Sequence, residues 1–180
     1  YNYQELRLQL EDRGVTFSTD SDTEVLFHLL KLYREKALSK LNGFFAFLFY
    51  DNERGELLFA RDRMGIKPLI MYEDGDKFLF GSEFDSFFQF NIEKSVNSSA
   101  LNHFLGLTYV PAPHTLIDRA FKIEPGHYGI VSEDQVSIQR YSEVRRNPFI
   151  KLNFTEAKAE LKRRLSTAVE KRLVADVPIG

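Results

Sequence analysis

Apolar residues recur along this chain in two rhythms. Near the start, Tyr3, Leu6 and Leu10 fall at the spacing of one helix face, and Gly14 follows as a C-cap. A second stripe, Val25, Leu26, Leu29, Leu30 and Tyr33, predicts another helix. Ser21-Asp22-Thr23-Glu24 opens it as a capping box, with Ser21 as N-cap and Glu24 reaching back to it. Between the two helices, Val15–Thr19 is a short strand candidate.

The rhythm then changes. Gly43–Asp51, GFFAFLFYD, is apolar at consecutive positions, the pattern of a strand covered on both faces. Asn52–Gly55 turns the chain and Glu56–Asp62 returns it. Leu69–Glu73 and Lys77–Glu83 are joined through Asp74-Gly75, a strong hairpin signal. Residues 43–83 therefore predict an antiparallel meander, with the first two helices available to cover it. A short helix is expected near Glu83–Phe88. Ser98 or Ser99 would cap a helix ending near Gly106, and Pro111 and Pro113 force Tyr109–Thr115 into an extended connection. Glu124–Val144 reads as a turn followed by a pair of strands. From Asn153 an amphipathic helix carries Ala157, Leu161, Leu165, Ala168, Val169 and Leu173 on one face.

Composition narrows the classes. With 43% hydrophobic and 14% aromatic residues in 180, a packed core is expected. A net charge of −2 with both signs interspersed lacks the basic footprint of a nucleic-acid binder. The longest apolar run, Phe44–Tyr50, is too short to span a membrane, and no secretory signal opens the chain. The absence of cysteine excludes disulfides, thiolate metal sites and a cysteine nucleophile within this chain, and the cytoplasm is the expected compartment. A start at Tyr1 without Met, and an apolar end at ADVPIG, read as a piece of a longer protein.

Few residues suggest chemistry by type and spacing. His28, His103, His114 and His127 lack metal-ligand spacing and read as packed or surface histidines. Asn97 and Asn153 begin glycosylation sequons, yet both also suit helix caps. Arg61-Asp62-Arg63 could be an ion-paired anchor of a turn shaped by Gly65 and Pro68; no phosphate-cradle pattern surrounds it. Asp22 has two readings: an acid favoured by the helix dipole, or a carboxylate aimed outward at a ligand's ammonium group.

The order of motifs says more. YNYQELR, SDTEV, LNGFFAFLFYDNERGELLFARDRMGIKPL, FGSE, YVPAPHTL, PGHY and RLVADVPIG together resemble the glutamine-dependent asparagine synthetases, over essentially the whole chain. The ARDRMGIKPL segment alone resembles the wider class of glutamine amidotransferases with an N-terminal nucleophile. The resemblance implies an α+β fold: a four-layer αββα glutaminase domain, incomplete here, followed by the start of an α/β pyrophosphatase-type synthetase domain. Residues 1–95 would be the C-terminal portion of the glutaminase domain, 96–150 a connecting segment, and 151–180 the beginning of the ATP-binding domain.

The same resemblance implies the chemistry. An N-terminal Cys attacks the glutamine side-chain amide with its α-amine as base, while an Asn side chain and a Gly N–H hold the oxyanion. The released ammonia attacks an aspartate activated by ATP and Mg2+. The nucleophile and oxyanion residues would lie before Tyr1 and the pyrophosphate loop after Gly180, so no catalytic, ATP or metal residue falls in this chain. Asp22 alone matches a family substrate residue, where it would bind the glutamine ammonium. The expected partners are glutamine and aspartate, in a parent with room to be a homodimer; no nucleic acid and no membrane are expected. The alternatives are an amidotransferase for another carboxylate, such as a surface-polysaccharide sugar acid, and a degenerate non-catalytic scaffold.

Overall fold

The helical stripes fold as their spacing dictates. In the computed structural model, which describes residues 2–75, 77–133, 135–143 and 151–173, helix α1 spans Tyr3–Glu11 and buries Leu6 and Leu10. Gly14, at φ +83°, lets the Val15 N–H return to the Leu10 carbonyl at 3.0 Å. Helix α2, Asp22–Tyr33, buries Val25, Leu29 and Leu30. The strand expected over Val15–Thr19 is instead an irregular loop. Its N–H groups are spent elsewhere: Val15 donates to α1, and Ser18 and Thr19 donate to the Glu24 carboxylate.

The chain divides into two units: Tyr1–Leu32, Lys40–Gly43 and Val144–Gly180 form one, Tyr33–Ser39 and Phe44–Glu143 the other. The second unit holds strands β1 (Ala46–Asp51), β2 (Glu56–Arg61), β3 (Ile70–Asp74) and β4 (Lys77–Gly81). These are followed by helix α3 (Phe84–Phe87), a 3₁₀ turn at Phe88–Phe90 and helix α4 (Ser98–Leu107). Strands β5 (Ala120–Lys122), β6 (His127–Ser132) and β7 (Gln135–Arg140) complete it. The α4 cap is Asn97, one residue before the serines expected to serve: its Oδ1 accepts the Ala100 N–H at 2.9 Å.

The expected meander is two hairpins in two sheets. Strands run β1-β2-β6-β7 in one sheet and β4-β3-β5 in the other, antiparallel throughout. The free edge of β2 is taken by β6, and that of β3 by β5, so β2 and β3 never pair. Phe59 lies opposite Gly129, and a Cβ there would sit 2.2 Å from the Phe59 ring; only glycine admits it. The two sheets share a core of Phe59, Leu69, Met71 and Ile123, closed by Phe80, whose ring centroid is 4.9 Å from that of Phe59. Across β3, Ile70 and Tyr72 point the other way, into a cluster with Phe87 of α3, Ile92 and Ala120. The unit is thus layered sheet, sheet, helix.

Burial also reassigns the strand expected to be covered on both faces. That position belongs to β2 and β3, whereas β1 is an edge strand among the described residues, with Leu48 and Tyr50 exposed. In the first unit, helix α5, Phe154–Glu170, opens on a reciprocal capping box between Asn153 and Glu156. Its apolar positions Leu161, Leu165 and Val169 are exposed. Residues 174–180 of the expected ATP-binding domain start lie outside the described residues. Among those described, no helix is long and apolar enough to cross a membrane.

Candidate functional site

The Arg61–Pro68 segment is where the chain leaves one sheet for the other. Asp62, only 1% exposed, accepts four backbone N–H groups: Met64 and Ile66 on Oδ1 at 3.1 Å, Lys67 on Oδ2 at 3.0 Å, and Phe45 on Oδ2 at 3.3 Å. Arg61 donates to three carbonyls, Lys67 at 2.8 Å, Gly65 at 2.8 Å and Ile123 at 2.6 Å. Asp62 and Arg61 anchor the turn through its backbone: the carboxylate gathers donors and the guanidinium gathers acceptors that a tight turn leaves without a ladder. Burial lowers the Arg61 pKa, with the Asp62 charge opposing the shift. Tyr141 seals the turn by donating to the Arg61 carbonyl at 2.9 Å, and burial pushes its phenol up to about 12.

Asp22 stands elsewhere, as the first residue of α2. The cap is Ser21, whose Oγ accepts the Thr23 N–H at 3.1 Å. Asp22 is therefore not consumed by capping; its carboxylate is exposed and receives a long 3.3 Å contact from the Thr23 hydroxyl. An acid so placed suits the positive end of the helix and remains open to a cation.

Glu24, expected to close a capping box, and Arg7, which sequence reasoning did not assign, hold the loop before it. Glu24 does not reach back to the Ser21 N–H as a capping box would. Its Oε1 accepts the Ser18 N–H at 2.8 Å, and its Oε2 accepts the Thr19 N–H at 2.7 Å and the Thr19 hydroxyl at 2.6 Å. These donors, the Thr19 hydroxyl foremost, hold its carboxyl at about 2. From α1, Arg7 donates to the Thr19 carbonyl at 2.8 Å, lies 3.1 Å from the Asp20 carboxylate, and rests over the Phe17 ring at 4.6 Å. The SDTE spacing marked Glu24 as special but not its target. Nothing in the spacing marked Arg7 beyond an i,i+4 partner, Glu11, at 3.0 Å.

The histidines scatter. His28 lies edge-on to Phe17 and Phe27, with Nε2 3.8 Å from Glu24. His103 and His114 approach with ring centroids 5.8 Å apart. Among the described residues no group of three or more His, Cys, Asp or Glu side chains could hold a metal ion. Both sequon asparagines, Asn97 and Asn153, are helix caps.

A model of the glutamine amidotransferase domain matches residues 1–142. The chain belongs to the glutamine amidotransferase family. It is 35% identical, over its full length, to asparagine synthetase [glutamine-hydrolyzing] 1 of Bacillus subtilis, and 36% identical over 99% of it to asparagine synthetase [glutamine-hydrolyzing] 3 of the same organism. The match spans 28% and 29% of those proteins, so this amidotransferase chain covers less than a third of their length. A solved glutamine phosphoribosylpyrophosphate amidotransferase from B. subtilis, in complex with ADP and GMP, aligns over 78% of the chain and 27% of its own, with a TM-score of 0.53 and 29% identity. The α+β architecture with its paired sheets is thus that of the N-terminal-nucleophile amidotransferases.

Proposed function

We propose that the chain is part of a glutamine-hydrolysing asparagine synthetase and contributes Asp22 to the site that binds glutamine. The carrying observation is the 35–36% identity, spanning essentially the whole chain, to two enzymes that bear that name. On this reading glutamine donates ammonia to an ATP-activated aspartate, in a cytoplasmic enzyme. The chain has no cysteine, so the thiol that attacks the glutamine amide belongs to another part of the protein, as do the oxyanion donors. Strands β5, β6 and β7 complete the two sheets of the amidotransferase portion, whose match runs to residue 142, and the start of the ATP-binding domain is read at 151–180.

The role left to this chain is recognition. An exposed carboxylate at the start of α2 forms charge-assisted hydrogen bonds to the α-ammonium of glutamine, which the amide-cleaving step does not alter. ATP and Mg2+ supply the activation of the acceptor, but the described residues offer no metal-binding group of three or more carboxylates and histidines, and no step of that activation is assigned to them.

The test is Asp22→Ala in the full-length protein. Hydrogen bonds to charged groups contribute about 1.5–3 kcal/mol, so glutamine-dependent synthesis should weaken by about ten-fold to over a hundred-fold. Synthesis driven by free ammonia bypasses the glutamine pocket and should persist. Equal loss of both activities would place Asp22 in folding instead.

A further inference from the structure

We propose that Glu24 is a positioning residue for glutamine: through Ser18 and Thr19 it fixes the loop that enters α2 and so sets where Asp22 presents its carboxylate. The inference rests on the reading of Asp22 as the ammonium ligand and adds the device that aims it. Asp22 and Glu24 are two residues apart on a helix, so their side chains diverge by roughly 200°. One carboxylate is exposed; the other turns back and is consumed by the loop.

The loop needs such a device. Ser18, Thr19, Asp20 and Ser21 are all polar and exposed. With no buried apolar side chain among them, burial cannot select one conformation. The three donors on Glu24 select one instead, and Ser21 joins through its N–H, 3.2 Å from the Thr19 hydroxyl. Arg7 holds the other side of the same residue through the Thr19 carbonyl. Thr19 is thereby pinned at its N–H, its carbonyl and its side chain, three residues before Asp22. A charge-assisted contact depends steeply on distance and angle, so a loop free to shift would spread the Asp22 carboxylate over positions that miss the ammonium. With the Glu24 carboxyl held at about 2, the clamp stays charged throughout the neutral range.

The experiment uses the full-length protein with Glu24→Gln, Thr19→Val, Asp22→Ala and the double variant Asp22→Ala/Glu24→Gln. Each is measured for kcat and KM with glutamine, for the ammonia-driven rate, for thermal midpoint, and for KM with glutaramate, the glutamine analogue that lacks the α-ammonium. Glu24→Gln keeps the size of the side chain but turns one acceptor into a donor that faces the Ser18 or the Thr19 N–H. The expected result is a rise of about ten-fold in glutamine KM, with kcat, the ammonia rate and glutaramate KM within about two-fold. Thr19→Val removes one of the three donors and should show the same split, smaller, and it tests the proposal by itself if Glu24→Gln does not fold. In the Asp22→Ala background Glu24→Gln should add almost nothing, because the loop then has no carboxylate to aim.

An unchanged glutamine KM in Glu24→Gln, beside a raised one in Asp22→Ala, would overturn the proposal and leave the Asp22 reading standing. An unchanged KM in both would remove both. A parallel fall of glutamine and ammonia activities with a lowered midpoint would make Glu24 a stability residue only.

Discussion

A carboxylate that is 1% exposed, as Asp62 is, costs several kcal/mol unless its charge is met. Four N–H groups meet it, and they are donors that a tight turn would otherwise bury without partners. Tyr141 completes the same arrangement and carries a pH signature. Its pKa rises from 10.0 to about 12 because burial disfavours the phenolate, with Arg63 lowering it and Asp62 raising it to lesser degrees. A folded-state pKa above the unfolded one means that the folded state holds the proton more tightly. The stabilisation is complete below pH 10 and disappears as pH rises towards 12. Tyr141→Phe should lose about 1 kcal/mol at neutral pH with the bond to the Arg61 carbonyl. It should also unfold with a shallower decline than the parent between pH 10 and 12, which urea titrations at several alkaline pH values will read.

Single elements depend on local chemistry at their ends. Helix α4 buries only Ala100 among its residues and exposes Leu101, Phe104, Leu105 and Leu107. Packing therefore contributes little to it, and the cap matters more. Asn97→Ala removes the acceptor for the Ala100 N–H and should cost about 1 kcal/mol. Amide exchange should quicken first in the opening turn of α4, while the β2 and β6 ladder keeps its protection. Uniform loss of protection across the unit would show instead that the cap supports the whole fold. The β3–β4 hairpin has the complementary logic: Asp74 pairs with Lys77, and Gly75, the first loop residue after Asp74, adopts φ +63°, which glycine does at little cost.

At the scale of the whole molecule, two faces among the described residues expose apolar side chains, and the sequence carries no thiol. Leu48 and Tyr50 on β1, and Phe154, Leu161, Leu165 and Val169 on α5, are exposed apolar surface. Such surface marks an interaction face when it is contiguous and an aggregation liability when it is not covered. The missing chemistry is the thiol, since the chain contains no cysteine. Purified by itself, it should release no glutamate from glutamine above background in a coupled glutamate assay, because none of its side chains has the low-pKa thiolate that opens an amide at neutral pH. Glutamate release that follows the protein through purification would contradict this.

Local interactions were legible in the residues themselves. The buried stripes of α1 and α2, the Asp74-Gly75 hairpin, the caps at Asn97 and Asn153 and the last strand pair all follow from spacing and turn chemistry that act within a few residues. The motif order carried the family. Partner choice over long separations was not legible. Phe59 meets Gly129, and Tyr72 meets Ala120, because β6 occupies the edge of β2 and β5 that of β3, so those two do not pair with each other. An apolar strand carries no address for its neighbour, so the pattern alone predicts a meander with a doubly covered β1, whereas β2 and β3 are the strands covered on both faces. The same limit governed the carboxylates. Asp62, Asp22 and Glu24 are chemically alike; burial among N–H groups makes the first an anchor, exposure at a helix start leaves the second open, and three donors in a loop make the third a clamp. Those environments exist only after the chain has folded, because they are built from residues distant in sequence or from loop geometry that spacing does not specify.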